Sequence, residues 1–443
     1  REDYYVGGRN ISAGHVGMSI VATDVGGGFS IGLGGLGFVM GLSGSWLLFT
    51  GLVGAWLAAV FTIPKIKKID AAEGMLTFPD FLRYRYGKKV AVAAALISGI
   101  GYLGFTGAQI LAGAKLAAGT VFIDIGFADP LQVAMYAMAF VVLAYTVLGG
   151  IKAVIYTDTV QWIVLLGGLL FLGAPLALME VGGWSVLVEK LPAAYFSLTN
   201  IEFIEFINWL FTIIPIWFIA MTLYQRIYAC RDEKDARRAF MIAGVLEYPI
   251  MAFLGVFLGM AARVVFPESD PEMAMPRLLA EVLPIGIAGI VTASYFSAIM
   301  STADSCLIAS SGNFVNDIFE RYLFKQKSEK FIMRLSQVAT LAIGALTLLI
   351  ASSFSTVLEI ILHAYAFMVA GLFVPTLGAY FWKKSDATAA LIAMIFGGGI
   401  TLVLIFTELQ IWWGLDASIV GIFLSALLFI SISLIKDKAK SHV

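Results

Sequence analysis

Apolar stretches of about 20 residues or more follow one another from residue 11 to residue 435, and a helix of about that length is what crosses the hydrocarbon layer of a bilayer. Twelve can be placed, at about 11–41, 43–64, 90–120, 128–149, 153–180, 204–229, 239–266, 281–318, 332–352, 355–382, 385–406 and 413–435. They are rich in Leu, Ile, Ala and Phe and lack the every-second-residue alternation of outer-membrane strands. Water is not their solvent. The chain is 60% hydrophobic and 13% charged, with a mean hydropathy of +0.90, whereas soluble domains run at roughly 45–50% apolar and about 25% charged. The predicted fold class is an all-α polytopic membrane protein.

Cationic residues concentrate in cytoplasmic loops. With the N-terminus inside, 25 of the 29 Lys and Arg fall on that side, among them those of 65–68, 83–89, 226–238 and 321–334. Lys190, Arg263 and Arg277 fall on the other side, and Lys115 lies within a span. The C-terminus is then also cytoplasmic, as expected for a multi-pass protein of the plasma (inner) membrane. A formal net charge of −1 rules out a basic nucleic-acid surface. Two cysteines, Cys230 and Cys306, are too few for a disulfide framework. Three histidines without an HExxH, CxxC or Walker-type pattern argue against an enzyme. The chain opens on Arg in the polar stretch REDYYVGGRN, so a fragment lacking its natural N-terminus is expected.

Ionisable residues inside spans cost about 2.5–3.5 kcal/mol each on insertion scales, so each needs a reason. Four acids stand out: Asp24, Asp158, Glu247 and Asp304. Asp24 is followed by Gly26, Gly27 and Gly28. Glycine weakens a helix by roughly 1 kcal/mol per residue, so residues 22–28 read as a helix break that frees carbonyls and amides at mid-depth. The later glycines, from Gly32 onward, read as close helix packing. In the eighth span Ser301, Asp304 and Ser305 share one helical face, with Thr302 at its edge. That group offers several oxygens, as a hard cation demands. One helix cannot surround a cation, and the carbonyls freed at 22–28 would supply the remainder.

Pro215 in the sixth span permits a kink. Paired discontinuities in the two halves of a chain point to a transporter with inverted repeats. The expected organisation is an N-terminal segment (1–10), a first repeat (11–182), an outer loop (183–203), a second repeat of opposite orientation (204–384), two peripheral helices (385–435) and a tail (436–443).

With these residues in view, the chain resembles the sodium/solute symporter family, whose core is a LeuT-like 5+5 inverted repeat with a broken first and kinked sixth helix. DYYVGGR (3–9), TFPDFLRYRYG (77–87), YTVLGGIKAVIYTDTVQ (145–161) and FSAIMSTADSCLIASS (296–311) are similar to family segments in order and spacing. The resemblance implies a further helix ahead of residue 1. It implies a main Na+ site made of carbonyls at Ala22, Val25 and Ala298 and hydroxyls at Ser301 and Thr302. It also implies a second cation position at Asp158, Asp304 and Ser305, with Asp304 standing where many members carry a small hydroxyl residue. Asp24 matches an aspartate of the proline-transporting branch, while VGGGF and Trp46 are similar to the choline-transporting branch.

The solute site is expected beside the breaks, lined by spans one, two, six and ten: Asp24, Gly26, Gly27, Gly28, Trp46, Ile213, Ile216, Trp217 and His363. Freed glycine amides would hold a carboxylate, and Trp46 would face a quaternary ammonium. These stretches are poor in polar side chains, so sugars, whose hydroxyls cost about 1–3 kcal/mol each if unpaired, rank below proline-like or choline-like solutes. The expected partners are a small organic solute, sodium ions and lipid, with a monomer sufficient. The other readings are a proton-coupled or monocarboxylate symporter, a channel, and a membrane sensor on the same fold. A channel needs a continuous polar path, whereas here polar residues cluster at mid-depth. A sensor would carry a signalling module where this sequence has residues 436–443.

Overall fold

The computed structural model describes residues 6–122, 125, 126, 128–146, 151–323, 328–407, 409 and 411–441. Residues 1–5, the motif positions 147–150, the loop cations Lys325 and Lys327, and residues 442 and 443 carried expectations and lie outside the described residues. Among those described, every extended regular element is a helix. This follows from the solvent, because in lipid each backbone N–H and C=O must be paired within its own segment.

Nine helices among the described residues are long and apolar enough to cross a membrane, or ten if one bent pair is a single span. Two of the differences from twelve are physical: the first two expected spans run together as one helical stretch, Gly27–Phe61, through a tight turn at 41–45, and the sixth is the bent pair. The described part of the fourth is Pro130–Ala144, and residues 147–150 of its expected length lie outside the described residues.

The first span begins as α1 (Ala13–Asp24), passes through a π-helical turn at Val25–Phe29, and continues as α2 (Ser30–Met40). The expected non-helical break at 22–28 is therefore corrected. The backbone stays right-handed helical, with φ −84° and ψ −53° at Asp24, and the glycine run loosens the winding without opening it. A π-turn still displaces the regular i→i−4 ladder, and such turns gather at functional sites. The second span is α3 (Trp46–Phe61), followed by the short α4 (Ile63–Glu73) and α5 (Phe78–Tyr86). Spans three to five are α6 (Lys88–Gly119), α7 (Pro130–Thr146), and α8 (Ile151–Gly168) with α9 (Ala174–Val181).

The sixth span is α10 (Phe203–Ile216) and α11 (Met221–Ala229), bent by 44° across residues 217–220. Pro215 sits in the last turn of α10, where it cannot donate to the ladder, so the kink falls where the proline placed it. The seventh is α12 (Glu233–Val245) and α13 (Ala252–Val265), joined by a π-turn. After α14 (Pro271–Val282) come α15 (Ile285–Phe314), α16 (Glu329–Ser352), α17 (Val357–Phe381), α18 (Ala387–Thr407) and α19 (Ala417–Ser441).

Two groups of helices meet along the first span. In one, α1 packs on α12, α2 on α13, and α3 on α10 and α12; in the other, α6 packs along α15, α16 and α17. Contacts of α1 with α8 and α15 join the groups, while α18 and α19 pack on each other and on α17. The glycines beyond Gly32 do serve close packing. A Cβ added to Gly37 would stand 2.1 Å from Val256 O, and one on Gly259 would stand 2.1 Å from Gly34 O. Gly37→Ala or Gly259→Ala should therefore lower stability by about 1–3 kcal/mol, the usual cost of overpacking. Gly14→Ala, with nothing within 4 Å of its Cβ, should leave the thermal unfolding midpoint in detergent unchanged or slightly raised.

Candidate functional site

Between the π-turn of the first span and the bend of the sixth lies a cavity of about 20 Å3. Its polar wall is Thr23, Asp24, Tyr102, Thr222 and Tyr365, and its apolar wall is Phe105, Ile216, Ala220 and Leu223. A buried water needs roughly 10–15 Å3, so the space suits one or two waters. The Tyr365 hydroxyl donates to Asp24 at 3.0 Å, and its ring stacks on Phe105 with centroids 5.3 Å apart. The bend leaves the first amides of α11 without intrahelical acceptors. Tyr102, from α6, takes one of them, accepting from the Thr222 N–H at 3.1 Å.

Beside this cavity, three of the five oxygens expected to hold a cation converge. Thr302 Oγ1 lies 3.0 Å from Ala22 O and 2.9 Å from Ala298 O. Val25 O accepts from the Ser30 hydroxyl, and the Ser301 hydroxyl donates to Asp158. Carbonyl and hydroxyl oxygens each carry two lone pairs, so both retain one to offer. Among the described residues no group of three or more His, Cys, Asp or Glu is placed to hold a metal. A donor set of neutral oxygens suits a hard monovalent cation rather than a transition metal.

Asp158 is fully buried on α8. It accepts from Ser19 at 2.5 Å and from Ser301, and lies 3.6 Å from the guanidinium of Arg226. Arg226 also donates to Ser19, to Thr23 and to the carbonyl of Thr222. Arg226, near the cytoplasmic end of the expected sixth span, has a side chain that is 0% exposed. The bend carries α11 inward, and Asp158 compensates the charge that arrives. Asp304 lies one turn from Ser301, near enough to Asp158 for the two charges to interact. The Thr146 hydroxyl faces Asp304 but donates to Val142 O at 2.8 Å. Neither Asp304 oxygen nor the Ser305 hydroxyl has a hydrogen-bond partner among the described residues.

Of the residues expected around the solute, the structure brings Asp24 and Ile216 to the cavity wall. Gly26, Gly27 and Gly28 belong to the π-turn, and the Gly28 amide is held by Gln109 Oε1 at 2.9 Å. Ile213 is buried without lining the cavity, and Trp217 packs against Gly54 and Phe240. Trp46 stands apart, donating to Leu198 O at 2.8 Å. His363 lines a separate cavity of about 850 Å3 with Glu359 and Asp416. Sequence reading missed Tyr102, Phe105, Thr222, Tyr365 and Arg226. The available signal was the hydroxyl-bearing tips of Tyr102 and Tyr365 on otherwise apolar helices.

The model of the sodium:solute symporter family matches residues 4–397. The chain is 27% identical to the high-affinity proline transporter PutP of Bacillus subtilis over 416 residues, covering 90% of this chain and 86% of that one. It is 30% identical to the sodium/pantothenate symporter of Haemophilus influenzae over 423 residues, covering 91% and 84%. Among solved structures it resembles a Na+-coupled sialic acid symporter in a substrate-bound outward-open state, with TM-score 0.75, 20% identity, and coverage of 98% and 92%. It also resembles a closed nucleobase–cation symporter, with TM-score 0.63, 15% identity, and coverage of 97% and 93%. These likenesses give the LeuT-like fold. A chain whose helical core answers to that family model almost throughout belongs to the sodium:solute symporter family, and its work is transport rather than catalysis.

Proposed function

We propose that this protein couples inward sodium movement to the uptake of a small zwitterionic solute of proline's kind by alternating access. One observation carries the reading: the oxygens around Thr302 and the wall of the cavity share a single turn of α1. Ala22 O faces Thr302, while Thr23 and Asp24 face the cavity. Sodium is held by the carbonyls of Ala22, Val25 and Ala298 and the hydroxyls of Ser301 and Thr302. The solute's ammonium lies against Asp24, its hydrocarbon part against Phe105, Ile216 and Leu223, and its carboxylate toward the hydroxyls of Thr23 and Thr222. Asp304 and Ser305, unpaired beside Asp158, take a second cation.

Proline-like chemistry is favoured over choline because Trp46, the expected face for a quaternary ammonium, lies away from the cavity. The first relatives found, PutP and the osmoregulated proline transporter OpuE of Bacillus subtilis, are proline transporters. The basic loops orient both termini toward the cytoplasm of an inner-membrane protein.

The deciding experiment uses proteoliposomes with sodium outside and an inside-negative potassium-diffusion potential. Each sodium moved with a neutral solute gains about 2.3 kcal/mol per 100 mV. Labelled proline should therefore accumulate roughly forty- to fifty-fold on the electrical term alone, at about 1.4 kcal/mol per decade, and mere equilibration rejects symport. Replacing Ser301 and Thr302 together by Ala should raise half-saturating sodium by about tenfold or more, the equivalent of about 1.4 kcal/mol of lost binding. Unchanged sodium dependence would reject the ion assignment. Arg226→Met alone leaves Asp158 buried and unpaired, at a cost of about 3–5 kcal/mol in stability. Adding Asp158→Leu should restore the melting temperature without restoring uptake.

A further inference from the structure

Three of the four mid-depth acids have a place in the reading above, and Glu247 does not. It lies in the π-turn Leu246–Met251 that joins α12 and α13, next to Tyr248, whose φ of −134° and ψ of 125° leave helical geometry. The residue is 0% exposed, and neither carboxyl oxygen has a hydrogen-bond partner among the described residues. The indole N–H of Trp217, in the bend of the sixth span, is also buried and without an acceptor. Both face one small gap. A Cβ built on Gly51 of α3 would stand 2.7 Å from Glu247 Oε2 and 3.9 Å from Trp217 Nε1.

The helices packed on this turn are α3, α12 and α13. None of them brings a cation to it. The α3 sequence, WLLFTGLVGAWLAAVF, carries no ionisable side chain. The charged residues of α12 (Glu233, Lys234, Asp235, Arg237 and Arg238) lie in its opening turns, the last of them about two and a half turns before Glu247. Arg263 is in the last turn of α13. The charge that does act on Glu247 is that of Asp24, of the same sign.

An ionised carboxylate in such a place costs many kcal/mol unless it is paired, and a carboxyl group escapes that cost by taking up a proton. Sodium is a poor alternative, since it wants several oxygens and here would meet an indole N–H directed at the same gap. A neutral carboxylic acid fits both neighbours. Its carbonyl oxygen is an acceptor of the kind the Trp217 N–H lacks, and its hydroxyl removes the like-charge conflict with Asp24.

We propose that Glu247 is a proton-binding site of the transport cycle, filled when the molecule closes around its cargo. On closing, one proton passes from water to a Glu247 carboxylate oxygen and forms an O–H bond. On opening, that bond breaks and the proton returns to water. Closure, and with it uptake, then depends on pH through a residue separate from the sodium and solute ligands. This rests on the reading of the chain as a sodium-coupled transporter.

Two measurements on the reconstituted full chain test it. Infrared spectra at neutral pH should show a protonated-carboxyl C=O band that persists in Asp24→Asn and disappears in Glu247→Gln. Sodium-driven proline uptake, with equal pH on both sides, should fall toward about tenfold per pH unit on the alkaline side, the limit for one proton. In Glu247→Gln, uptake relative to its own maximum should be flat over that range. A wild-type spectrum without the band, or a Glu247→Gln profile matching wild type, overturns the proposal. Should Glu247→Gln fail to fold, the band in Asp24→Asn and Asp304→Asn decides: persistence in both supports the proposal, and loss in either overturns it. Absence of any sodium-driven uptake in wild type would instead reject the transport reading, and the infrared result stands independently of it.

Discussion

A backbone amide or carbonyl that leaves its helix inside a bilayer must find its partner in protein, and this decides where the chain can be irregular. In the first and sixth spans, the departures from regular winding are met by side chains from other helices. The Thr222 amide, freed by the bend, goes to Tyr102 of α6. The Gly28 amide, in the first π-turn, goes to Gln109 of the same helix. Ala22 O, at the end of α1, faces Thr302 of α15. Even the start of α17 obeys the rule, since the amides of Val357 and Leu358 donate to Glu272, which also binds Lys115 at 2.7 Å. In the first and sixth spans, irregular backbone and polar side chains therefore gather around the same small cavity.

Charge follows the same logic. Lys115 is balanced by Glu272 and Asp270, and Arg226 by Asp158. Among the described residues, Asp24 and Asp304, like Glu247, form no ion pair with a basic side chain. An interior with spare negative charge is costly when closed and empty, and less so when cations enter it. On the proposed reading the cargo itself supplies that compensation.

Much of this was legible in the sequence, for identifiable reasons. Helical spacing put Ser301, Asp304 and Ser305 on one face, and the face is where Thr302 meets Ala22 and Ser301 meets Asp158. Pro215 marked the bend because its chemistry is local. The glycine run after Asp24 marked a weak point but not its form, since a π-turn and an open break draw on the same low helix propensity. The burial of Arg226 was not legible because charge counting assigns a residue by its sequence neighbours, whereas a 44° bend decides where α11 goes. Tyr102 and Tyr365 were missed because a tyrosine within an apolar helix reads as core. Only packing shows that their hydroxyls reach Thr222 and Asp24.

The shared turn of α1 also bears on how ion and solute are linked. Ala22 is two residues from Asp24, so a cation at the first and an ammonium at the second act on the same few backbone torsions. A π-turn that contains three glycines has low helix propensity, and on the proposed reading each ligand adds contacts to it. Coupling of this kind is reciprocal: whatever factor sodium adds to solute affinity, solute adds to sodium affinity. The sixth-span bend supplies the opposite wall through Ile216, Ala220 and Thr222. On the proposed reading, the glycine run places the more adjustable backbone of the site in the first span, beside the ion.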